Sequence, residues 1–430
     1  MQNKKKIAII GSGISGISAA YLLSTDYNVS IFEKNNYFGG HTRTITVNDS
    51  GNHIDIDTGF IVFNEKSYPD LSNFFKILNI DIQDSEMSLS ISSKKNNLEY
   101  SSKNIHNQIK NFKNVVYIKI IRDIIRFYKS APYILKNVNI DNLSISDFFK
   151  KTSYSSDFLE YHIYPIASSI WSTDIKYIKD FPIKSFIIFF IENDLFNFLL
   201  RPKWKTLVNR GKSYIEKVLS KTNIESKFNE KVIKLIRNNN KITLISENNS
   251  YSFDEVVLAT HADQALKIIA NPTIDEKRIL SKFTYNENEI FLHKDQNFMP
   301  KNKKIWSSWN FLGEKYDKFS LSYWMNSLQK TNYKENYFVT VNPINEIDNK
   351  LILNSAKLKH PIFNLHTHNA QSNLKKIQGV HGTWFAGSYF GYGHHEDGIQ
   401  SSVSIALKKG IQIPWKRNII QDNRIKILCN

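Results

Sequence analysis

Apolar and glycine positions near the start of the chain predict a strand, a turn, a helix and a second strand. The apolar run Ile7–Ile10 predicts a buried strand, and the apolar spacing of Ile17–Ser24 predicts a helix. A second run, Val29–Phe32, predicts the next strand and ends at Glu33. Parallel strands that alternate with helices indicate an α/β domain.

The later pattern predicts a second domain of mixed type. Helical spacing occurs over Ser67–Leu78 and Lys103–Leu135, and Ser146–Leu200 is mainly helical. A buried strand is expected at Phe253–Ala259. The other predicted elements are helices at Tyr214–Leu219 and Gly398–Lys409 and strands at Lys231–Leu235, Lys241–Ser246, Glu289–His293, Lys304–Phe311, Phe319–Met325 and Tyr337–Val341.

The turn after the first strand reads Gly11-Ser12-Gly13-Ile14-Ser15-Gly16. Gly11 allows a sharp turn, Gly13 lets the backbone approach a pyrophosphate, and Gly16 lets the helix pack closely on the sheet. The helix N-terminus favours an anion there. Glu33, about twenty residues further on, is placed to accept hydrogen bonds from a ribose. The pattern therefore predicts a dinucleotide site rather than an ordinary tight turn.

A second glycine pair distinguishes between cofactors. It lies in Gly39-Gly40-His41-Thr42-Arg43-Thr44. Nicotinamide enzymes do not need this pair, whereas many flavoproteins resume contact with the dinucleotide just after the acidic residue. The sequence therefore favours FAD.

These residues resemble the N-terminal segment of the flavin amine oxidase and phytoene desaturase superfamily. The resemblance continues through Ile54-Asp55-Ile56-Asp57-Thr58-Gly59-Phe60, and it is greatest for a bacterial subgroup labelled predicted NAD/FAD-binding proteins. The other matching stretches are Tyr164-Pro165, Ile170-Trp171-Ser172, Arg201-Pro202-x-Trp204-x-Thr206, Thr260-His261-Ala262-Asp263-Gln264-Ala265, Tyr323-Trp324-Met325-Asn326 and Gly391-Tyr392-Gly393-His394-His395-Glu396-Asp397-Gly398.

The resemblance implies a Rossmann-like FAD-binding domain of the GR2 type and a second α+β substrate domain whose mixed sheet roofs the flavin. The expected cofactor domain comprises 1–66, 206–265 and 376–430, and the substrate domain comprises 67–205 and 266–375 with a helical, basic insertion at 94–138. The expected cofactor residues are Gly11, Ser12, Gly13, Ile14, Ser15, Gly16, Glu33, Lys34, Gly39, Gly40, His41, Arg43, Thr44, Thr58, Gly59, Phe60, Val232, Gly387, Asp397, Gly398 and Ile399.

Composition and charge bear on how the cofactor is attached, where the protein is located and what it binds. The single cysteine, Cys429, lies beyond the stretch where some amine oxidases tether flavin, so we expect non-covalent FAD in a cytosolic protein. The formal net charge is +17, but no nucleic-acid motif accompanies it. Segment 94–138 alone has ten Lys or Arg against two acids. Its helical face is either a solvated surface or a binding site for an anionic membrane or a partner. Binding to a membrane would make the protein peripheral at the inner membrane face.

The resemblance also bears on the chemistry. Flavin accepts a hydride from a substrate carbon. Asp397 is expected to cap the start of its helix, and that helix start is either only a capped terminus or one that also stabilises reduced flavin. Amine oxidases of this superfamily carry a lysine on the roofing sheet, but Asn286–His293 has none. His41 replaces their usual arginine and Tyr389 their glutamate, which argues against amine oxidation. The candidate catalytic residues are His293, His395 and Glu396.

Two further histidine questions arise from the sequence. His261 is either a hydrogen-bonded loop residue or a contact to cofactor or substrate. The pairs His366 with His368 and His394 with His395 lack accompanying ligands at metal-binding spacing, so no metal is expected.

Members of the subgroup are often encoded beside methyltransferases that resemble cyclopropane fatty acid synthase. This implies a hydrophobic or lipid substrate and a functional partnership with a fatty-acid methyltransferase. The leading hypothesis is FAD-dependent dehydrogenation of a lipid acyl chain. The alternatives are a soluble amine oxidase that releases hydrogen peroxide, a non-catalytic lipid-binding protein, and a nicotinamide-dependent reductase, for which the chain shows no second glycine fingerprint.

Overall fold

The computed structural model describes residues 4–94, 97–103, 105–197, 203–238, 241–315, 318–330, 333–417 and 425. The strands, numbered in chain order, are β1 (Lys6–Ile10), β2 (Asn28–Phe32), β3 (Thr44–Asp49), β4 (Asn52–Asp57), β5 (Ile82–Ser85), β6 (Leu89–Ser93), β7 (Leu98–Ser101), β8 (Trp204–Leu207), β9 (Glu225–Lys227), β10 (Val232–Asn238), β11 (Lys241–Ser246), β12 (Ser250–Phe253), β13 (Glu255–Leu258), β14 (Thr284–His293), β15 (Trp309–Lys315), β16 (Lys318–Trp324), β17 (Phe338–Val341), β18 (Ile352–Ile362) and β19 (Thr383–Phe385).

The helices are numbered in the same way. They are α1 (Ile14–Leu23), α2 (Pro69–Ile77), α3 (Val115–Asn137), α4 (Ile145–Lys150), α5 (Ser156–Phe158), α6 (Tyr164–Trp171), α7 (Ile175–Ile178), α8 (Ile183–Glu192), α9 (Lys212–Lys221), α10 (Ala262–Ile268), α11 (Ile274–Leu280), α12 (Met325–Gln329), α13 (Leu365–Gln371) and α14 (His395–Lys408). A π-helical turn, Leu159–Ile163, joins α5 to α6.

A five-stranded parallel sheet forms the first layer. Its strand order is β19-β13-β1-β2-β9, and β1 pairs in parallel with both β2 and β13. Strands β1, β2 and β13 bury nearly every apolar side chain because α1 and α14 cover the sheet. The carboxyl ends of these strands meet at the edge where α1 begins. This is the Rossmann-like layer predicted from the sequence.

A seven-stranded mixed sheet forms the second layer. Its order is β18-β14-β17-β16-β15-β6-β7, with antiparallel neighbours except for the parallel pair β15 and β6. Helices α3 to α8 form an apolar core at the β6–β7 end of this sheet. The fold class expected from the sequence, an α/β domain with a second α+β part, is confirmed.

Three predicted elements have different boundaries in the structure. The strand expected at Phe253–Ala259 begins at Glu255, because Phe253 belongs to antiparallel β12. The basic segment Lys103–Leu135, expected to form one helix or a helix pair, consists of a 3-10 helix, Ile105–Lys113, and α3, whose N-cap Asn114 accepts a hydrogen bond from the Val116 N–H. The strand expected from Lys304 begins at Trp309, after a 3-10 turn. The predicted motif residues Arg201 and Pro202, and also Cys429, lie outside the described residues.

Candidate cofactor and substrate site

The first glycine turn has the geometry that the dinucleotide pattern requires. Gly11 has a φ of +101°, and a Cβ at Gly16 would lie 1.8 Å from the Gly11 carbonyl oxygen. No side chain fits at either position without moving the loop. Gly13 is the N-cap of α1 and makes no side-chain cap, so the helix N-terminus remains open to an anion.

Glu33 holds the two glycine segments together. Its buried carboxylate accepts hydrogen bonds from the Ser12 hydroxyl at 2.6 Å, the Ser12 N–H at 3.2 Å and the Asn35 N–H at 3.0 Å. The Ser12 hydroxyl in turn accepts from the Gly39 N–H at 3.1 Å. A carboxylate has about four acceptor positions, so these three bonds leave one for a ribose hydroxyl.

The second glycine pair lies directly on the first turn. Gly39 and Gly40 have φ of +132° and +57°, and a Cβ at Gly40 would lie 3.2 Å from the Gly13 Cα atom. The Glu230 N–H donates to the Glu33 carbonyl oxygen at 2.9 Å, which brings the start of β10, with the predicted cofactor residue Val232, beside the end of β2. The residues expected at the nucleotide end of FAD therefore meet in space.

The segment after β4 packs against the second glycine segment. A Cβ at Gly59 would lie 1.9 Å from the His41 carbonyl oxygen, and the Phe60 N–H donates to that oxygen at 2.9 Å. Arg43 donates to the Thr58 hydroxyl at 3.1 Å and also to Asn354 of β18 at 2.7 Å. Arg43 thus links the glycine loops to the roofing sheet.

Helix α14 begins three residues earlier than predicted, at His395. Its N-cap is His394, and Asp397 is the third helical residue, whose carboxylate accepts from the His394 N–H at 2.8 Å. A Cβ at Gly398 would lie 2.7 Å from Ile14 in α1. The N-termini of α1 and α14 therefore lie side by side. Asp397 caps the helix start, and its predicted influence on the flavin stays a prediction.

The remaining predicted cofactor residues lie on these same elements. They are Ser15 in α1, Lys34 after β2, Thr44 at the start of β3, Gly387 after β19 and Ile399 in α14. The Thr44 hydroxyl donates to Asp57 at 2.6 Å, and the Gly387 N–H donates to Ser401 of α14 at 2.9 Å.

Four half-buried histidines, His41, His261, His360 and His395, form a group that we call the histidine cluster. The His41 ring centre lies 5.0 Å from that of His360 and 6.0 Å from that of His261. Burial lowers the pKa of all four, to about 3 for His261 and His395, with His41 contributing in both cases. Each ring is therefore neutral at pH 7.

Two atoms of the histidine cluster are notable for their lack of partners. Nε2 of His41 and Nδ1 of His261 are buried and have no hydrogen-bond partner among the described residues. The His261 ring stacks on Tyr285 at 4.2 Å, and the His395 ring stacks on Phe60 at 3.9 Å. His395 also makes a hydrogen bond with the Thr42 hydroxyl at 3.0 Å. Buried polar atoms are nearly always hydrogen-bonded, so these two atoms are candidates for contact with a bound molecule.

The face of the seven-stranded sheet that carries Asn354 and His360 is directed at the cofactor layer, because Asn354 bonds Arg43 and His360 meets His41. We call it the roof face. Side chains paired across strands share a face, so the register adds other residues to it. Its members in β14, β16, β17 and β18 include Asn288, Ile290, Leu292, Leu321, Tyr323, Val339, Val341, Ala356 and Leu358. None of the residues that these strands place on the roof face is a lysine or an acid.

Four aromatic residues in or near strands β15 and β16 divide between the two faces of this sheet. Trp309 and Tyr323 pack edge to face at 5.1 Å on the roof face. Trp306 and Trp324 pack with Phe338 on the opposite side. The alternation of side chains along the strands decides this division.

Two of the three candidate catalytic residues, His293 and Glu396, make hydrogen bonds that give them a structural role. His293 lies opposite the roof face, where its Nε2 bonds the Thr340 hydroxyl at 2.6 Å and its Nδ1 accepts from the Asp295 N–H at 3.1 Å. Glu396 accepts from the Asp70 and Leu71 N–H groups, both at 3.0 Å, and so caps α2. His395 remains beside the glycine loops as a catalytic candidate.

Sequence reasoning did not identify His360 or Asn288. Asn288 donates to the Ser172 carbonyl oxygen at 2.6 Å and makes a 2.8 Å hydrogen bond with Nδ1 of His360. Asn288 lies in β14, which the sequence indicates only by its alternation of apolar and polar residues. His360 lies in β18, which was not predicted. Across the ladder Asn288 is paired with Leu358 and His360 with Asn286, so the two bonded residues are diagonal neighbours on adjacent strands and carry no local motif.

These residues fit an FAD molecule. The open N-terminus of α1, the glycine cradle and the unpartnered His41 and His261 atoms all meet at one edge of the parallel sheet, beside the capped start of α14. In the part of the chain that the structure describes, no group of three or more His, Cys, Asp or Glu is arranged to hold a metal ion.

Comparison with known proteins supports this description. Residues 9–78 match the model of the NAD(P)-binding Rossmann-like domain. No curated protein matches the sequence. Among solved structures, a CLA-producing fatty acid isomerase from P. acnes is similar at 12% identity, with a TM-score of 0.69 and coverage of 95% of this chain and 99% of that chain.

Two amine oxidases are also similar to this chain. Wild-type putrescine oxidase bound to putrescine has 12% identity and a TM-score of 0.69, with coverage of 95% and 100%. Cyclohexylamine oxidase from Brevibacterium oxydans IH-35A has 13% identity and a TM-score of 0.65, with coverage of 95% and 100%. The chain shares its fold with these structures, as the resemblance drawn from its motifs led us to expect.

Proposed function

We propose that this protein is an FAD-dependent oxidoreductase that dehydrogenates a lipid acyl chain. The observation that carries the proposal is the roof face, on which β14, β17 and β18 place no lysine and no acid over a cluster of neutral histidines. A roof face on which these strands place no charged side chain suits an apolar chain, because a buried ammonium ion without an acidic partner would be strongly destabilised.

The chain's own residues hold the cofactor non-covalently in this proposal. The α1 N-terminus would bind the pyrophosphate, Glu33 would accept a hydrogen bond from a ribose hydroxyl, and residues at the start of α14 would hold the flavin ring. When bound, FAD supplies the acceptor for a hydride from a substrate carbon.

Forming a carbon–carbon double bond also releases a proton from the neighbouring carbon. Nε2 of His41 and Nδ1 of His261 are neutral, buried and without partners among the described residues, so either atom can accept that proton. The electron pair would leave with the hydride, and the C–H bond that loses the proton would supply the new π bond. Repeated turnover would need oxygen or another two-electron acceptor.

The structural neighbours do not decide between substrates. A fatty acid isomerase and a putrescine oxidase have the same TM-score of 0.69 with this chain. The roof face favours the lipid, since the amine oxidases of this superfamily carry a lysine there.

The test uses the purified FAD-loaded protein without oxygen. Phosphatidylglycerol vesicles and free oleic acid are offered in parallel with putrescine and cyclohexylamine, and the loss of oxidised-flavin absorbance is followed. We expect a lipid to bleach the flavin and to lose two hydrogens by mass spectrometry. Bleaching by an amine alone would identify an amine oxidase, and a protein that takes up no FAD would overturn the enzyme assignment.

A genetic experiment checks the same proposal in cells. The lipid profile of cells with and without the gene is compared by mass spectrometry. An acyl chain that gains unsaturation only when the gene is present supports the proposal, and identical profiles count against it.

A further inference from the structure

Helix α3 presents apolar side chains to solvent along its outer surface. Val115 is 65% exposed, Ile118 48%, Ile125 41% and Tyr133 66%. The opposite side of the helix is apolar as well, but it is buried in the helical core, with Tyr117, Ile120, Ile124 and Phe127 among the buried residues. The helix therefore has one apolar face that the protein covers and a second that it leaves open.

Basic residues alternate with the exposed apolar ones. Steps of three and four residues place Val115, Ile118, Arg122, Ile125, Lys129 and Tyr133 along one stripe of the helix. Lys119, Arg126 and Lys136 flank the stripe. We call this surface the outer face of α3. The helix has one acid, Asp123, which is buried and accepts from the Ser155 N–H at 2.9 Å.

The concentration of exposed apolar side chains here is local. Of the thirteen large hydrophobic residues that are exposed in the described chain, seven lie between 109 and 138, including Ile109 and Phe112 of the preceding 3-10 helix. Single exposed apolar residues are ordinary, but a contiguous set marks an interaction surface.

We propose that the outer face of α3 lies flat on a bilayer that contains anionic phospholipid. Interfacial helices have apolar side chains directed into the acyl boundary and lysines that extend to the headgroups. The charge of the outer face is complementary to anionic headgroups, and its apolar residues supply the contact that charge alone does not. No described helix is long and apolar enough to cross a membrane. The helix therefore rests on the surface.

The buried side of α3 connects this surface with the cofactor layer. Phe127 contacts Phe186, which contacts Trp171, and Trp171 lies 6.4 Å from His394 at the start of α14. The core formed by helices α3 to α8 would therefore lie between the bilayer and the cofactor site. Membrane binding by the outer face does not depend on the oxidoreductase assignment.

Sedimentation with vesicles tests the proposal on the full-length protein. Vesicles of phosphatidylcholine alone are compared with vesicles that also contain phosphatidylglycerol, at low and high salt. We expect binding to the anionic vesicles, with release as salt rises, because screening shortens the range of the attraction.

Paired variants separate the two contributions. Ile118→Ser with Ile125→Ser removes apolar contact, with an expected loss of about tenfold per residue. Lys119→Gln with Lys129→Gln removes charge, with an expected loss of about fivefold per residue. Arg126 is left unchanged because it covers the Tyr154 ring at 3.9 Å and bonds the Ser153 carbonyl oxygen at 2.8 Å.

The matched controls are Ile274→Ser, at a site that is 85% exposed in α11, and Lys282→Gln beyond that helix. Both should bind like the wild type. Equal binding to the two kinds of vesicle, or none to either, would overturn the proposal, and the second outcome would favour a protein partner. Full binding by the isoleucine pair would also overturn it. Bleaching of the flavin by free oleic acid is independent of each of these outcomes.

Discussion

Replacement of Glu396 by glutamine tests whether this residue is structural or catalytic. Helix α2 begins with Pro69, and its N-cap Tyr68 makes no side-chain cap. The buried Glu396 carboxylate takes that place by accepting from the Asp70 and Leu71 N–H groups at 3.0 Å each, and it also accepts from Gln400 at 2.9 Å. Glu396 therefore joins α14 to α2 across the cofactor layer.

The expected loss of stability on replacing Glu396 follows from these hydrogen bonds. A hydrogen bond to a charged group contributes about 1.5–3 kcal/mol, and a buried donor left without a partner costs about 1–3 kcal/mol. Glutamine has one acceptor oxygen, so one of the two α2 N–H groups would face an amide NH₂ instead. We expect Glu396→Gln to lower the free energy of unfolding by roughly 2–5 kcal/mol.

Chemical denaturation measures this loss, and FAD titration with flavin reduction measures function in parallel. Glu287→Gln is the control, since Glu287 lies on the exposed side of β14, 3.6 Å from Lys357, and should change stability little. We expect a lower denaturation midpoint for Glu396→Gln. An unchanged midpoint and slope together with lost turnover would refute the capping argument and make Glu396 a catalytic residue.

Four further predictions concern the cofactor site. Gly16→Ala, whose Cβ would lie 1.8 Å from a carbonyl oxygen, should weaken FAD binding in a fluorescence titration. Glu33→Ala should also weaken binding, by about 1.5–3 kcal/mol for each charged hydrogen bond to FAD, and unchanged affinity would show that the acid is misassigned. Asp397→Ala should lower the flavin reduction potential measured against a reference dye, and an unchanged potential would leave only its capping role. His261 and His395 have a folded pKa of about 3, below their usual 6.5, so the unfolded state binds more protons and stability falls as pH drops below 6.5. Denaturation of the FAD-free protein at decreasing pH should show about 1.4 kcal/mol lost per pH unit for each histidine, and a flat profile would contradict the burial argument.

The amino-acid sequence by itself determined the cofactor layer. Gly11 and Gly16 occupy positions where a Cβ would meet backbone, and Glu33 follows the second strand at the distance that places it beside the turn. These requirements involve backbone conformation and short spacings, so they leave a pattern that can be read locally. The pairing of Gly39 and Gly40 with the first turn is of the same kind.

Only the tertiary structure decided which distant side chains meet. His360 lies against His41, and Glu396 caps a helix that begins more than three hundred residues earlier, so neither role has a local pattern. The apolar periodicity of α3 was visible in the sequence, but periodicity does not tell whether the protein covers a second apolar face. Packing of the other helices against one side of α3 settles that point, because burial depends on neighbours that are remote in the chain.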